Sequence, residues 1–168
     1  MRIALAADEP YPVHLVLRAE LGRRGHDVVA MGAVADGAEH PWAALAVGAA
    51  QAVAARRCDE AIVLCWSGTG VSIAANKVHG VRAALCSDAA TASAARVWNH
   101  ANVLCLSHRT LSDDLAREIL AAWFETQPTT AGSDGVARLV ELERTLAGDV
   151  FAAVDAQHVP VDPARAGP

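Results

Sequence analysis

Apolar and polar positions along this chain follow two rhythms: short, nearly unbroken apolar runs, and longer stretches with an apolar residue every third or fourth place. Arg2-Ile3-Ala4-Leu5-Ala6-Ala7 is a run of the first kind and predicts a strand buried on both faces. Asp27 to Met31, Ala61 to Leu64, Val81 to Cys86 and Val103 to Leu106 repeat the pattern, so five strands are expected. Between them lie helical spacings. Val13 to Arg24 carries Leu15, Leu17 and Leu21, and Trp42 to Arg57 is alanine-rich. Val71 to Lys77 opens another helix, Ala89 to Trp98 follows Asp88 as a good N-cap, and Leu111 to Glu125 starts near Ser112 or Asp113. Val136 to Ala147 is the last, with Leu139, Leu142 and Leu146 in helical register. Gly32 to Pro41 and Pro128 to Gly135 read as loops. Strands alternating with helices predict an α/β domain with a doubly wound parallel sheet.

Composition sharpens this picture at a few points. A chain of 168 residues is natural for one domain with a full core, here expected over residues 1–150. Residues 151–168, with Pro160, Pro163 and Pro168, are expected as a tail, flexible or packed on a partner subunit. Hydrophobic residues make up 53% and aromatics only 4%, which suits alanine-rich helices packed closely on a sheet. A net charge of −5 without a Lys/Arg cluster argues against nucleic acid as a partner. No apolar run reaches membrane-spanning length, and the apolar start ends at Asp8, too short for a secretory leader. Cys58, Cys65, Cys86 and Cys105 form no CxxC pair, so reduced thiols in a cytoplasmic protein are expected.

One stretch carries candidate chemistry: Cys65-Trp66-Ser67-Gly68-Thr69-Gly70-Val71, between the third strand and the helix after it. Gly68 and Gly70 let the backbone approach a ligand, and a strand-to-helix turn aims free N–H groups at whatever lies above the strand. The spacing fits neither the P-loop nor the dinucleotide fingerprint. A lone thiol such as Cys65 equally suits core packing. A glycine-rich anion cradle directly after it favours a thiolate, or the negative charge that a thiolate base creates. Polar residues also gather at the other strand ends, at Asp8-Glu9, Ser87-Asp88 and Ser107 to Arg109, the side on which open α/β sheets bind ligands.

Cys65 through Lys77, Val81-Arg82-Ala83, Arg96 to Leu104 and Arg109 resemble the ribose-5-phosphate isomerase B family and its relatives, the galactose-6-phosphate isomerase subunits. The resemblance runs from Arg2 to about Leu142, and Gly-x-Gly-x-Ser-Ile-Ala-Ala-Asn-Lys is its most specific part. It implies a Rossmann-like, three-layer α/β/α fold with a five-stranded parallel sheet. It implies a homodimer or dimer of dimers with shared active sites, no metal and no cofactor, and aldose–ketose isomerisation of a sugar phosphate. By position, Cys65 matches the family's base and Ser67 the hydroxyl residue beside it. Gly68, Thr69, Gly70 and Val71 match the loop whose amides hold the enediolate. Asp8 matches the aspartate that binds sugar hydroxyls, Asn99 an asparagine of the site, and Arg109 a phosphate-binding arginine. Arg138 matches a second phosphate arginine with a one-residue slip.

The chain departs from the family at informative places. Trp98 stands where the ring-opening histidine is usual, Glu9 where a histidine follows the first aspartate, and His40 where a tyrosine precedes Pro41. Gly132-Ser133-Asp134 replaces a Gly-Arg-His segment, which removes one phosphate arginine. Indole has no basic nitrogen and cannot perform ring opening. Either His40 or His100 takes over, or the substrate arrives already open, as a tetrose phosphate must. Trp98 itself suits helix-end packing or a sugar-stacking platform. Cys58, Cys86 and Cys105 read as packing residues, Arg82 as a structural pair, and His108 as a solvated loop residue. Three functions stay open: an isomerase, a subunit that needs a paralogous partner, and a sugar-phosphate-binding protein without turnover.

Overall fold

The computed structural model describes residues 1–148, so the expected tail at 151–168 lies outside the described residues. Five parallel strands form one sheet in the order β2-β1-β3-β5-β4. They are β1 (Arg2–Ala7), β2 (Asp27–Gly32), β3 (Glu60–Cys65), β4 (Ala83–Leu85) and β5 (Val103–Ser107). The helices are α1 (Val13–Arg23), α2 (Ala33–Asp36), α3 (Trp42–Ala54), α4 (Thr69–Ala75), α5 (Ala89–Asn99), α6 (Asp113–Glu125) and α7 (Ser133–Gly148).

Strand alternation divides the core in two. Ile3, Leu5, Ile62, Leu64, Leu104 and Leu106 face one side, where they meet Leu17 and Leu21 of α1, Ala92 and Ala95 of α5, and Ile119, Leu120 and Trp123 of α6. Ala4, Ala6, Ala61, Val63, Val103 and Cys105 face the other, under Ala46, Ala49, Ala50 and Val53 of α3 and Val71 and Ala75 of α4. Because successive side chains of a strand point to opposite faces, the apolar runs fill both layers at once. The alanines of α3 let that helix sit close to the sheet. The result is the three-layer α/β/α sandwich that the pattern predicted.

Several boundaries differ from expectation for local reasons. The loop after β2 contains α2, which Gly37 ends in a left-handed conformation. The fourth strand, an edge paired only with β5, shrinks to three residues, since the Arg82 and Ala83 N–H groups donate to the Asn102 and Asn76 side chains rather than to a strand. Asp88 caps α5, accepting a hydrogen bond from the Thr91 N–H at 2.7 Å, and Ser112 caps α6 through the Leu115 N–H at 3.2 Å. A 3₁₀ turn at His108–Thr110 takes part of the expected loop after β5, and α7 begins earlier, at Ser133.

Candidate active site

Strand order reverses between β1 and β3, since β1 leads outward to β2 while β3 lies on its other side. Ala7 pairs with Leu64, so Asp8 and Cys65 emerge side by side at the carboxyl end of the sheet. Crevices of this kind are where open α/β sheets bind ligands. A cleft of about 380 Å³ opens there, lined by Asp8, Glu9, Trp42, Cys65, Trp66, Ser67, Thr69 and Gly70. A larger hollow of about 560 Å³, lined by Cys58, Asp59, His79 and Asn102 among others, lies at the opposite end of the strands. Its thiol, Cys58, is pushed toward the neutral form chiefly by burial and has no amide cradle, so the smaller cleft is the chemical candidate.

Cys65 is buried, and the Gly68 N–H donates to its sulfur at 3.2 Å. Gly68 takes a left-handed conformation, φ 74°, to make this turn. A Cβ there would approach the Leu106 carbonyl carbon to 2.9 Å, so only glycine fits without displacement. The amides of Thr69, Gly70 and Val71 begin α4 and have no intrahelical acceptor. Ser67 Oγ and Thr69 Oγ1 share a hydrogen bond of 2.7 Å across the mouth of the loop. The loop is also tied to β5: the Trp66 carbonyl accepts from Ser107 Oγ and from the Arg109 N–H, each at 3.0 Å.

Asp8 is buried, and burial, opposed by the nearby Tyr11 phenol, raises its pKa above the usual carboxylate range. Glu9 beside it is exposed. The His40 N–H donates to the Asp8 carbonyl at 2.8 Å, but the His40 ring turns away and bonds the Asp36 carboxylate at 3.0 Å. His100 caps α5 in a left-handed conformation, its Nε2 within 2.9 Å of the Thr129 carbonyl. Neither histidine expected to replace the ring-opening group has a free ring in this cleft. The expected structural role of Arg82 holds: its Nε donates to the His100 carbonyl at 3.0 Å.

Trp98, Asn99 and His100 end α5, which runs back from the Cys65 side to the start of β5. They therefore sit at the amino-terminal end of the sheet, away from the cleft of their own chain, and Arg138 is exposed on α7. Arg109 stays on the cleft side, joined to Trp66. Sequence reasoning missed Trp42, Trp66 and Tyr11, and it read His108 as a solvated loop residue, whereas its ring is stacked on Tyr11 with Nδ1 buried. Trp42 lies against Gly70, within 3.0 Å of where a Cβ would stand, and Tyr11 stacks on His108 with ring centroids 4.0 Å apart. A signal for the tryptophans was available. In a chain with so few aromatics, Trp66 adjoins the thiol and Trp42 follows Pro41. Nothing local announced the Tyr11–His108 contact.

Among the described residues, no three His, Cys, Asp or Glu side chains come together as a metal site, and no helix is long and apolar enough to cross a membrane.

Comparison with known proteins bears on this geometry. Residues 3–141 match the model of the ribose/galactose isomerase family. The chain is 40% identical over 84 residues to a D-erythrulose-4-phosphate isomerase of Pectobacterium atrosepticum, covering 50% of this chain and 55% of that one. It is 37% identical over 107 residues to D-erythrulose-4-phosphate isomerase 2 of Mycolicibacterium smegmatis, covering 62% and 69%. The chain thus spans just over half the length of the first of these relatives. The solved ribose-5-phosphate isomerase B of Clostridium thermocellum superposes with a TM-score of 0.81 at 32% identity, covering 86% of this chain and 99% of that one.

Proposed function

The chain belongs to the ribose/galactose isomerase family, and from that premise we propose that it is a sugar-phosphate aldose–ketose isomerase with Cys65 as base and a short, open-chain sugar phosphate as substrate. The observation that carries this is the buried Cys65 thiol, held by the Gly68 amide at the floor of a cleft with further free amides beside it. Isomerisation moves a proton between C1 and C2. The Cys65 thiolate takes it from one carbon as the thiol forms, and returns it to the neighbouring carbon on the same face. Between those steps the charge rests on the oxygens of a cis-enediolate. The loop amides from Ser67 to Val71 stabilise it, each well-placed donor by roughly 3 kcal/mol. Asp8 and Glu9 accept from the hydroxyls, and Arg109 takes the phosphate.

Support for an open substrate comes from the histidines. Trp98 cannot exchange a proton at a ring oxygen, the His40 ring is engaged by Asp36, and His100 is engaged by the Thr129 carbonyl. Two of the relatives bear the name of a tetrose phosphate isomerase, and a tetrose 4-phosphate cannot close a five-membered ring. Trp98, Asn99 and Arg138 lie too far round the molecule to reach their own Cys65. A second copy completes the site in this reading, with Trp98 and Asn99 serving the partner's cleft.

The test is a panel of four- to six-carbon aldose and ketose phosphates with the purified chain alone, followed by proton NMR in D₂O. Exchange at C1 or C2 should appear with erythrose or erythrulose 4-phosphate, and Cys65→Ala should abolish it while leaving the fold intact. A variant that kept more than about a tenth of the rate, a loss under ~1.4 kcal/mol, would rule out Cys65 as base. Efficiency on ribose 5-phosphate of about 10⁴ M⁻¹s⁻¹ or more would rule out the open-chain substrate. Trp98→His should leave turnover of the tetrose phosphate no better and raise any weak activity on ribose 5-phosphate. No turnover by the isolated chain, restored by a paralogous subunit, would identify it as half of a hetero-oligomer.

A further inference from the structure

Beneath the cleft lies a group of polar atoms that the proposed reaction does not use. Tyr11 is 5% exposed and Asp8 7% exposed. Tyr11 Oη and Asp8 Oδ1 are both sealed from solvent and fall short of full hydrogen-bonding geometry, yet the phenol is near enough to Asp8 to favour its carboxylate. His108 Nδ1 is a third such atom. The His108 ring lies on the Tyr11 ring at 4.0 Å and 16°, and its other neighbour is Trp66, 6.0 Å away and tilted. Trp66 follows Cys65 and is pinned to the end of β5 by Ser107 and Arg109. The turn after β1 is fixed as well, since the Tyr11 N–H donates to the Glu9 carbonyl at 2.8 Å. A line of contacts therefore runs from Asp8 through Tyr11 and His108 to the loop that carries the thiol.

Two orphaned groups side by side, one a donor and the other an acceptor, call for an account, because each unmet buried partner costs about 1–3 kcal/mol. The phenol is held in its protonated form by burial first, then by the charges of Asp8, Glu9 and Cys65. At working pH the phenol keeps a proton to donate, whereas an ionised carboxylate can only accept.

We propose that Tyr11 and His108 are a stacked positioning pair for Asp8: His108 clamps the phenol ring, and the phenol O–H holds the Asp8 carboxylate ionised and oriented to accept from a substrate hydroxyl. This rests on the reading that Asp8 binds substrate. It makes Tyr11 a residue that acts through Asp8 and need not touch the sugar. The phenol already opposes the upward push of burial on Asp8. The other titratable groups around Asp8 do not supply a donor in its place. Glu9 is a second carboxylate, Cys65 is the base, and the His40 ring is held by Asp36.

The experiment follows the Asp8 carboxyl carbon by ¹³C NMR through a pH titration, alongside KM and kcat for the sugar phosphate that the chain turns over. Tyr11→Phe keeps the ring and the stack and removes only Oη. Its Asp8 should titrate at higher pH than in the wild type. KM should rise about five-fold, the scale of one lost hydrogen bond, and by more on the acid side of the profile than on the alkaline side, with kcat moving less. His108→Phe preserves a stacking ring and should leave the Asp8 titration where it was. His108→Ala should move it in the direction of Tyr11→Phe. An unchanged Asp8 titration in Tyr11→Phe, or a loss of activity equal at every pH, would overturn the pair. A shift in His108→Phe as large as in His108→Ala would overturn the clamp, because charge rather than stacking would then be at work. A wild type that turns over no sugar phosphate but shows the expected Asp8 shifts would sink the isomerase reading and leave the pair standing.

Discussion

Asp8, the proposed hydroxyl-binding carboxylate, sits where burial works against its charged form. Burial raises its pKa in the folded chain, so the folded protein binds the proton more tightly than the unfolded one. Stability from this group is therefore greatest below the ordinary carboxylate pKa of ~3.9 and falls as pH rises through the folded value. Asp8→Asn removes the charge at nearly constant shape. It should stabilise the protein at pH 7 by about 1 kcal/mol, with the gain shrinking toward pH 4, while substrate affinity drops. Denaturant unfolding at the two pH values checks this, and a variant less stable than the wild type at pH 7 would contradict it. Asp8 was legible in the sequence as a strand-end carboxylate. Its burial was not, because that depends on which elements pack over the turn after β1.

At the level of elements, a buried ionic group ties β3 to the helices on one face. Glu60 opens β3 and accepts from Trp123 Nε1 of α6 at 2.6 Å and from the Arg96 guanidinium of α5 at 2.8 Å. Arg96 also donates to the Ala101 carbonyl at 2.6 Å and lies over the Trp123 ring at 4.9 Å. Burial is the main influence on Glu60 and raises its pKa, while Arg96 and Trp123 oppose it. Arg96→Met would leave the carboxylate buried with an indole N–H as its main partner, and should cost about 3 kcal/mol. Adding Glu60→Gln should recover part of that loss, since the double variant no longer buries an unpaired charge. Urea unfolding measures both, and a single-variant loss below about 1 kcal/mol would show that the pair is a passenger. The network sits at the amino-terminal end of the sheet, so neither variant should alter Cys65.

Across the whole molecule, large apolar side chains stay exposed around the cleft and its flank. Trp42, Trp66 and Ile73 are 47%, 58% and 62% exposed, and Trp98 on the far side is 56% exposed. Leu139, Leu142 and Leu146 leave one stripe of α7 open, and Leu85 lines the same groove along edge strand β4 as Asn99 and Leu139. Scattered exposed leucines need no cause, but exposed tryptophans at the cleft and again at the end of α5 suit an interface that brings the two regions together. With Trp98 and Asn99 unable to reach their own cleft, the proposed homodimer answers both features. Light scattering at micromolar concentration should give twice the monomer mass, and activity should fall on dilution below the dimer dissociation constant. A fully active monomer would contradict it.

Most elements and the shape of the loop after Cys65 could be read from local pattern alone. Apolar periodicity, caps such as Asp88 and Ser112, and the glycines around Thr69 act within a few residues, and such effects survive in any tertiary setting. Cys65, Gly68 and the amides that follow were legible for that reason. Partnerships set by strand order were not. That order lays His108 on Tyr11 and sends Trp98 to the other end of the sheet, while Asp8 beside Cys65 and the burial of Cys86 and Cys105 match expectation. It also leaves β4 as a short edge, where the apolar run from Val81 to Cys86 had promised six residues and three are paired. Contacts between residues distant in sequence depend on how the layers pack. One-dimensional spacing carries no record of which strand lies next to which.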